Sequence, residues 1–177
     1  MYNPAIMSDK IAILCAAQNS NYFKLTDKYN LEIYTQVDDC RNFKFDCPVI
    51  THAPCAQWSR LHHFAKPNPT EKELAWFCLA AVTKCGGIFE HPSGSHFFRA
   101  AHIEKSKIYS VNLSWFGYAA MKRTYLHYNR VSLASHPLSF DAITKKVSQN
   151  FNQRTRSLTP IAFNEWLIQS VLQSQIK

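Results

Sequence analysis

The sequence predicts an α/β protein, a single Rossmann-like domain over residues 1–177 with three layers and a mostly parallel central sheet. Short apolar runs at 11–16, at 31–34 and from residue 49 are separated by turn residues, as buried parallel strands are. A helical pattern follows the third run and precedes a fourth, which is the order of a strand, a crossover helix and a parallel strand. The chain has 177 residues, 46% of them hydrophobic, and this is enough for one core.

Each strand of the first half has a local justification. The first run, 11–16, is uninterrupted and apolar, and a polar turn and a short helix to Leu25 separate it from 31–34. The third strand ends at the Pro54-Cys55 turn, because proline cannot donate to a central sheet. Cys55 therefore lies just past a strand end, where open α/β sheets place their chemistry, and it is a candidate nucleophile.

The crossover helix has a start signal and a stop signal. Thr70 and Glu73 have the spacing of a capping box, and apolar residues recur at helical intervals until Gly86-Gly87 ends the helix. The strand that follows ends at Glu90. Because strands joined by such a crossover are parallel, we expect Cys55 and Glu90 at the same carboxyl edge of the sheet, in one pocket.

The second half of the chain is less regular. A loop and a short helix are predicted over 93–101, and strands over 107–112 and 124–128. Residues 129–157 have weak periodicity and are predicted to be loops, with one short helix from Asp141.

The two ends of the chain are predicted to differ. Residues 1–10 are expected to be a flexible N-terminus, whereas 159–176 are expected to be a helix that docks on the sheet. Thr159 is a preferred N-cap residue, and Pro160 suits the first helical position. One face of this helix is apolar and consists of Phe163, Trp166, Leu167, Val171 and Leu172.

Positive charge is concentrated in the second part of the chain. Residues 1–100 carry ten Lys or Arg against nine Asp or Glu, whereas residues 101–177 carry ten against three. This asymmetry predicts a polyanionic partner, a nucleic acid or a nucleotide, and the aromatic residues among the cations are suited to stacking on bases. The candidate nucleic-acid-binding residues are Lys122, Arg123, Lys145, Lys146, Arg154 and Arg156.

Three short blocks occur in the order of a known family: Pro54-Cys55, Glu90-His91-Pro92, and Trp115-Phe116-Gly117-Tyr118 followed by Lys122-Arg123-Thr124. In these blocks the chain resembles the DNA cytosine-C5 methyltransferases, and within them a group of compact phage and prophage proteins that look like trimmed members. The resemblance spans residues 11–128 and 158–168. It implies that Cys55 adds to carbon 6 of the base and that Glu90 holds the base edge at N3.

The resemblance also implies a set of substrate-binding residues around these two: Pro54, Gln57, Ser59, Arg60, His91, Pro92, Phe116 and Tyr118. The implied activity is that of a transferase acting on a nucleobase or nucleotide. The chain has no room for a large target-recognition domain, so sequence-specific reading of duplex DNA is not expected.

A catalytic cysteine reacts as its thiolate, and a base within about 4–6 Å would lower the pKa of the thiol. The candidate bases near Cys55 in the sequence are His52, Arg60, His62, His63 and His91. Which of them acts is left open.

The resemblance implies S-adenosylmethionine as cofactor, but particular residues argue against it. The family presents a glycine-rich loop after the first strand and an acidic residue at the end of the second. Here no glycine precedes residue 86, so the first turn reaches positive φ only through Asn19 or Asn21, and Asp38 and Asp39 lie beyond the second strand. We therefore expect weak binding or none.

No metal site is predicted. His62, His63, His91 and His96 are not joined by a thiol or carboxylate at a zinc-type spacing. The six cysteines include no Cys-x-x-Cys pair, and we expect free thiols, most of them small core residues, in a cytoplasmic protein.

Two further functions are left open. One is another nucleotide-processing transferase on a related fold, such as a hydroxymethylase-like or deoxyribosyl-transfer enzyme. The other is a phage protein that binds a nucleotide or nucleic acid without catalysis and counters a host defence. No apolar run is long enough for a membrane partner to be expected, whereas a protein partner or a second copy of the chain is left open.

Overall fold

The structure, a computed structural model, describes residues 9–59, 62–64, 70–136 and 158–175. The strands within these residues are β1 Ile11–Ala16, β2 Leu31–Thr35, β3 Val49–His52, β4 Gly87–Pro92, β5 Tyr109–Asn112 and β6 Arg123–Asn129. The α-helices are α1 Glu71–Cys85, α2 Phe97–Ala100 and α3 Ile161–Gln175. The predicted α/β class is confirmed. Residues 1–8, most of the predicted loop region after residue 136 and residue 176 of the predicted last helix lie outside the described residues.

All six strands form one sheet in the order β2-β1-β3-β4-β6-β5. Strand β1 pairs in parallel with β2 and β3, and β3 pairs in parallel with β4. Strand β6 is antiparallel to both β4 and β5. The prediction of a mostly parallel sheet is confirmed. The carboxyl ends of β1, β3 and β4 meet at one side of the sheet, which we call the carboxyl edge.

The two faces of the sheet are covered by different helices. Side chains of β1 alternate between the two faces of the sheet. Ile11 and Ile13 pack in a core with α3, whereas Ala12 and Leu14 pack in a core with α1 and α2. All four side chains are fully buried. Helices thus protect both faces of the parallel strands from water, as such sheets require.

Helix α3 joins the beginning of the chain to its far end. The Asn21 side chain donates to the Thr159 carbonyl at 2.8 Å, just before the helix. Within the helix, Glu165 accepts from the Tyr29 hydroxyl at 2.9 Å and forms an ion pair with Lys28. The connection between β1 and β2 is therefore packed under α3.

The N-terminus of α1 differs from the prediction. Thr70 has helical backbone angles, and its side chain makes no cap hydrogen bond. The prediction of a capping box between Thr70 and Glu73 is therefore wrong, because that motif needs an N-cap residue with an extended backbone.

Helix α3 and strand β5 begin later than predicted. The Pro160 carbonyl accepts hydrogen bonds from the amides of Phe163 and Asn164, so Pro160 precedes the first helical residue, Ile161. Residues Lys105–Lys107 form a 3-10 turn, and β5 starts only after it.

Gly86 and Gly87 end α1 and begin β4. Gly86 has φ 82° and its amide bonds the Val82 carbonyl, which closes the last turn of the helix. Gly87 has φ 129°, and a Cβ at this position would lie 1.9 Å from the Val49 carbonyl oxygen. The start of β4 can pair with β3 only if residue 87 has no side chain.

We expect Gly87→Ala to lower the free energy of unfolding by about 2–4 kcal/mol, because it combines backbone strain with a clash against β3. Gly94→Ala is the matched control, since a Cβ there meets no atom within 4 Å and its φ is not positive. Urea unfolding at neutral pH measures both. Equal stability of the two variants would contradict the close approach at Gly87.

Candidate functional site

Strands β3 and β4 bring the two predicted catalytic residues to the carboxyl edge. Their parallel register pairs His52 with Glu90. Cys55 lies just past the end of β3, where it is the N-cap of the 3-10 turn Ala56–Trp58. Cys55 and Glu90 therefore follow the ends of adjacent parallel strands, in the arrangement that the crossover rule predicts.

A chain of hydrogen bonds holds Glu90 in place. His52 Nδ1 lies 3.0 Å from Glu90 Oε2, and His52 Nε2 lies 2.9 Å from the Tyr22 hydroxyl. From the other side, the Thr124 hydroxyl donates to Glu90 Oε1. Thr124 reaches Glu90 because β6 runs antiparallel beside β4, with Thr124 opposite Pro92.

The Glu90 carboxyl is buried and yet ionised. Burial raises its pKa, but the hydrogen bond and charge of His52, the Thr124 hydrogen bond and the Lys122 charge together lower the pKa to about 2. Burial, and then the charge of Glu90, raises the pKa of the Tyr22 hydroxyl, which therefore keeps its hydrogen. An ionised carboxylate only accepts, so His52 Nδ1 donates to Oε2, as the Thr124 hydroxyl does to Oε1. Glu90 is thus held by donors from both neighbouring strands.

The hydrogen-bonding capacity of Glu90 is not exhausted. Each carboxylate oxygen has two acceptor positions, and the bonds from His52 and Thr124 occupy one on each. The Glu90 and His52 side chains are 10% and 14% exposed.

Cys55 is not activated by its surroundings. Burial and the Glu90 charge raise the pKa of the half-buried thiol, and the nearby Lys122 charge lowers it only in part. None of the four candidate histidines is among the causes of this shift. A thiolate at Cys55 has to form against a buried carboxylate of the same charge.

The expected bases make other contacts. Both ring nitrogens of His52 are used in the chain that ends at Glu90. His62 Nδ1 lies 3.0 Å from the Ser59 carbonyl, and the His62 ring lies 3.7 Å, centre to centre, from that of His63. Arg60 lies outside the described residues.

Lys122 is the cation near the two catalytic candidates. Burial lowers its pKa, whereas the charges of Glu90 and Cys55 raise it. The ammonium group lies 5.4 Å from the centre of the Tyr118 ring, within range of a cation–π contact. The sequence groups Lys122 with the nucleic-acid contacts, but the structure places it near the carboxyl edge.

The other predicted cationic contacts cannot be grouped with it. Arg123 is exposed at the start of β6. Four of them lie outside the described residues: Lys145, Lys146, Arg154 and Arg156.

Six of the eight predicted substrate-binding residues fall into two groups, whereas Arg60 lies outside the described residues and the buried Tyr118 lines a cleft elsewhere. Those that are half-buried after β3 or at the end of β4 are Pro54, Gln57, Ser59 and Pro92. His91 is fully buried, packs against Phe97, and has Nε2 3.4 Å from the Pro54 carbonyl oxygen. Phe116 is buried under α3 against Trp166. We therefore assign His91 and Phe116 to the core and not to ligand contacts.

A shallow cleft of about 200 Å³ opens beside Tyr118. The residues that line it are Asn21, Gly117, Tyr118, Ala119, Leu158, Thr159 and Pro160. Cys55 and Glu90 are not among them, so this cleft is not the shared pocket that the sequence predicts. It is smaller than the roughly 300–1,000 Å³ of most ligand pockets, and a ring-sized fragment would fill it.

The end of β1 does not fit S-adenosylmethionine. In the turn after β1, neither Asn19 nor Asn21 has the positive φ that the sequence suggests. Positive φ occurs one residue before the end of the strand, at Cys15. Tyr22 is fully buried beyond β1, with its hydroxyl bonded to His52 of β3. This ring lies at the switch point between β1 and β3, where a doubly wound sheet binds its ligand, and no glycine allows close backbone approach.

The end of β2 is also engaged. The Thr35 amide and hydroxyl donate to Asp38 at 3.1 and 2.7 Å, so Asp38 folds back to cap the strand. Both oxygens of Asp39 accept from the Arg41 guanidinium, Oδ1 from Nε at 2.8 Å and Oδ2 from Nη2 at 2.7 Å. Neither carboxylate is arranged to hold the hydroxyl groups of a ribose.

Sequence reasoning missed Tyr22 and Thr124. Thr124 belongs to a block of the family resemblance, but its bond to Glu90 depends on an antiparallel neighbour that periodicity does not reveal. Tyr22 is one of many aromatic residues, and the short helix predicted up to Leu25 was the available signal that it turns back on the strand ends.

Comparison with known proteins finds no family model that matches the sequence and no curated protein that is significantly similar to it. We therefore infer the function from the chemistry of the site. Among the described helices, none is both long and apolar enough to span a bilayer.

S-adenosylmethionine is expected to bind weakly or not at all, because Tyr22 occupies the switch point. Isothermal titration of the purified chain measures this directly, with a panel of nucleotides as the comparison. A dissociation constant in the low micromolar range, which corresponds to a binding free energy of about −8 kcal/mol, would contradict the conclusion that the end of β1 does not fit S-adenosylmethionine.

Acid should remove part of the stability through Glu90. Its folded pKa of about 2 lies below the ordinary value of 4.5, so the stabilisation is complete above about pH 4.5 and is lost as the pH falls towards 2. The shift corresponds to on the order of 3 kcal/mol. Glu90→Gln should lack this part of the acid-induced loss in urea unfolding, whereas Glu104→Gln, an exposed control, should keep it. Identical pH profiles for the two variants would contradict an ionised Glu90.

Proposed function

We propose that the chain binds a nucleobase or nucleotide at the carboxyl edge and modifies it, with Glu90 holding the base edge and Cys55 as the nucleophile. The observation that carries the proposal is the fixed carboxylate of Glu90, on a side chain that is 10% exposed, beside the Cys55 turn. The strand order β2-β1-β3-β4, with its switch point between β1 and β3, favours a single Rossmann-like domain. Six free thiols favour a reducing compartment such as the cytoplasm.

Glu90 has the properties that recognition of a base edge requires. Its charge is fixed by His52 and Thr124, so the carboxylate is oriented before a ligand arrives. Amino and ring N–H groups of a base donate to such an acceptor, and hydrogen bonds to a charged group are the stronger kind. We infer a base that presents an exocyclic amino group, as cytosine does.

Cys55 would act by addition to an electron-poor ring. Its sulfur bonds to carbon 6 of the pyrimidine, the double bond between carbons 5 and 6 opens, and the thiol hydrogen leaves to solvent. Carbon 5 then displaces a leaving group from an electrophilic carbon of a co-substrate, and that group departs with the bonding electrons. Loss of the carbon 5 proton to solvent restores the double bond and expels the sulfur as a thiolate. Lys122, near both Glu90 and Cys55, stabilises the negative charge of the thiolate.

The raised pKa of Cys55 favours a second function, binding without catalysis. A thiol that stays protonated near a carboxylate is a poor nucleophile. In this case the carboxyl edge would hold a nucleotide through Glu90, and Cys55 would pack against it.

Two variants separate these functions. Glu90→Gln should weaken binding of a cytosine nucleotide by about 10- to 100-fold in isothermal titration, because a charged hydrogen bond is lost. The control Glu104→Gln should bind as the wild type does. If Glu90→Gln binds equally well and melts normally, the carboxylate is not a ligand contact and the proposal fails.

A covalent trap tests Cys55. Incubation with a cytosine nucleotide that carries fluorine at carbon 5, together with candidate co-substrates, should give a protein adduct in intact-mass spectrometry, because fluorine cannot leave as a proton does. Cys55→Ser should give no adduct, and Cys85→Ser should give the full amount. Binding that depends on Glu90 without any adduct would support the non-catalytic function.

A further inference from the structure

Three cysteines from distant parts of the chain converge on the α1 face of the sheet. Cys15 lies in β1, Cys40 begins the turn before β3, and Cys78 lies in α1. The Cys15 sulfur is 3.3 Å from that of Cys40 and 3.7 Å from that of Cys78. All three sulfurs lie within 4.8 Å of one another.

A bulge in β1 directs Cys15 into this cluster. Between the residues paired as Ile13 and Ala16, β1 has one residue more than β2. Ile13 and Ala16 both face the core under α3, whereas Leu14 and Cys15 both contact the core under α1. Regular alternation would turn Cys15 to the opposite face. The backbone adopts φ 59° at Cys15 to keep the thiol with the other two, a conformation that L-residues rarely take.

We propose that Cys15, Cys40 and Cys78 bind one zinc ion. Zinc–sulfur bonds of about 2.3 Å in a tetrahedron place the sulfurs about 3.8 Å apart, close to the spacing found here. Sulfur ligands without oxygen or nitrogen select soft ions such as zinc. The fourth position would be taken by water, reached from the side of the half-buried Cys15.

Zinc binding requires the three thiols to lose their hydrogens. Binding replaces the three S–H bonds with sulfur–zinc bonds and releases the protons to solvent, with no change of oxidation state. Affinity for zinc should therefore increase with pH.

The position of the cluster suggests a structural role for the ion. The connection between β2 and β3, residues 36–48, has no α-helix to cover the sheet, and its 3-10 turn Cys40–Asn42 is short. An ion held by Cys40 would fasten this connection to both β1 and α1. The sequence gives little sign of the site, because the three cysteines are far apart and no Cys-x-x-Cys pair occurs.

Zinc titration of the reduced, metal-free chain tests the site. In competition with a chromophoric chelator, we expect one tightly bound ion per chain and an increase in the melting temperature. X-ray absorption of the zinc-loaded wild type should show three sulfur ligands at about 2.3 Å. A chain that binds no ion, or an ion with fewer than three sulfur ligands, would overturn the proposal even if no variant folds.

Variants assign the ligands. Cys40→Ser should weaken zinc binding by more than about 100-fold. Removal of a residue that only hydrogen-bonds to a metal ligand lowers the affinity for the metal by about 10- to 100-fold, so a larger loss identifies Cys40 as a ligand. Cys85→Ser is the control, a half-buried cysteine that belongs to neither group of close ligand atoms, and it should bind as the wild type does. Equal losses in both variants, or a reduced chain that forms a Cys15–Cys40 disulfide in air and binds no zinc, would also overturn it.

Discussion

The buried charge of Glu90 constrains how this sheet can be assembled. An ionised carboxylate removed from water costs several kcal/mol unless hydrogen bonds replace its hydration. Its partners, His52 and Thr124, come from β3 and β6, the strands on either side of β4, so both must hold their register to within hydrogen-bond reach. His52 in turn bonds Tyr22, which fills the switch point. One charge therefore links strand register, core packing and the side chain that occupies the space between the ends of β1 and β3.

Glu90 also controls the state of Cys55. After burial, its negative charge is the largest cause that raises the pKa of the thiol. A base that donates hydrogen bonds to the carboxylate would spread that charge and weaken its effect on the sulfur, while Lys122 would continue to favour the thiolate. In the proposed enzyme, recognition and activation are thus the same event, and an empty site would keep its cysteine unreactive.

Local patterns predicted the elements, but the contacts of the site are non-local. The apolar run of β1 and the glycine stop of α1 are read within a few residues, and the parallel crossover follows from a general rule. The hydrogen bond between Thr124 and Glu90 depends instead on the antiparallel strand β6 beside β4. The bulge at Cys15 interrupts the alternation that predicts which face of the sheet each side chain lies on. The capping box at Thr70 failed because composition does not determine backbone angles.

The contacts of α3 have a consequence for the order in which the chain can mature. Asn21, Lys28 and Tyr29 leave the ribosome more than 130 positions before their partners, Thr159 and Glu165. One face of the sheet thus stays uncovered until α3 has been synthesised, with apolar side chains open to other nascent chains. Folding of this half is coupled to the synthesis of α3, and a chaperone that shields the exposed strands would act in that interval.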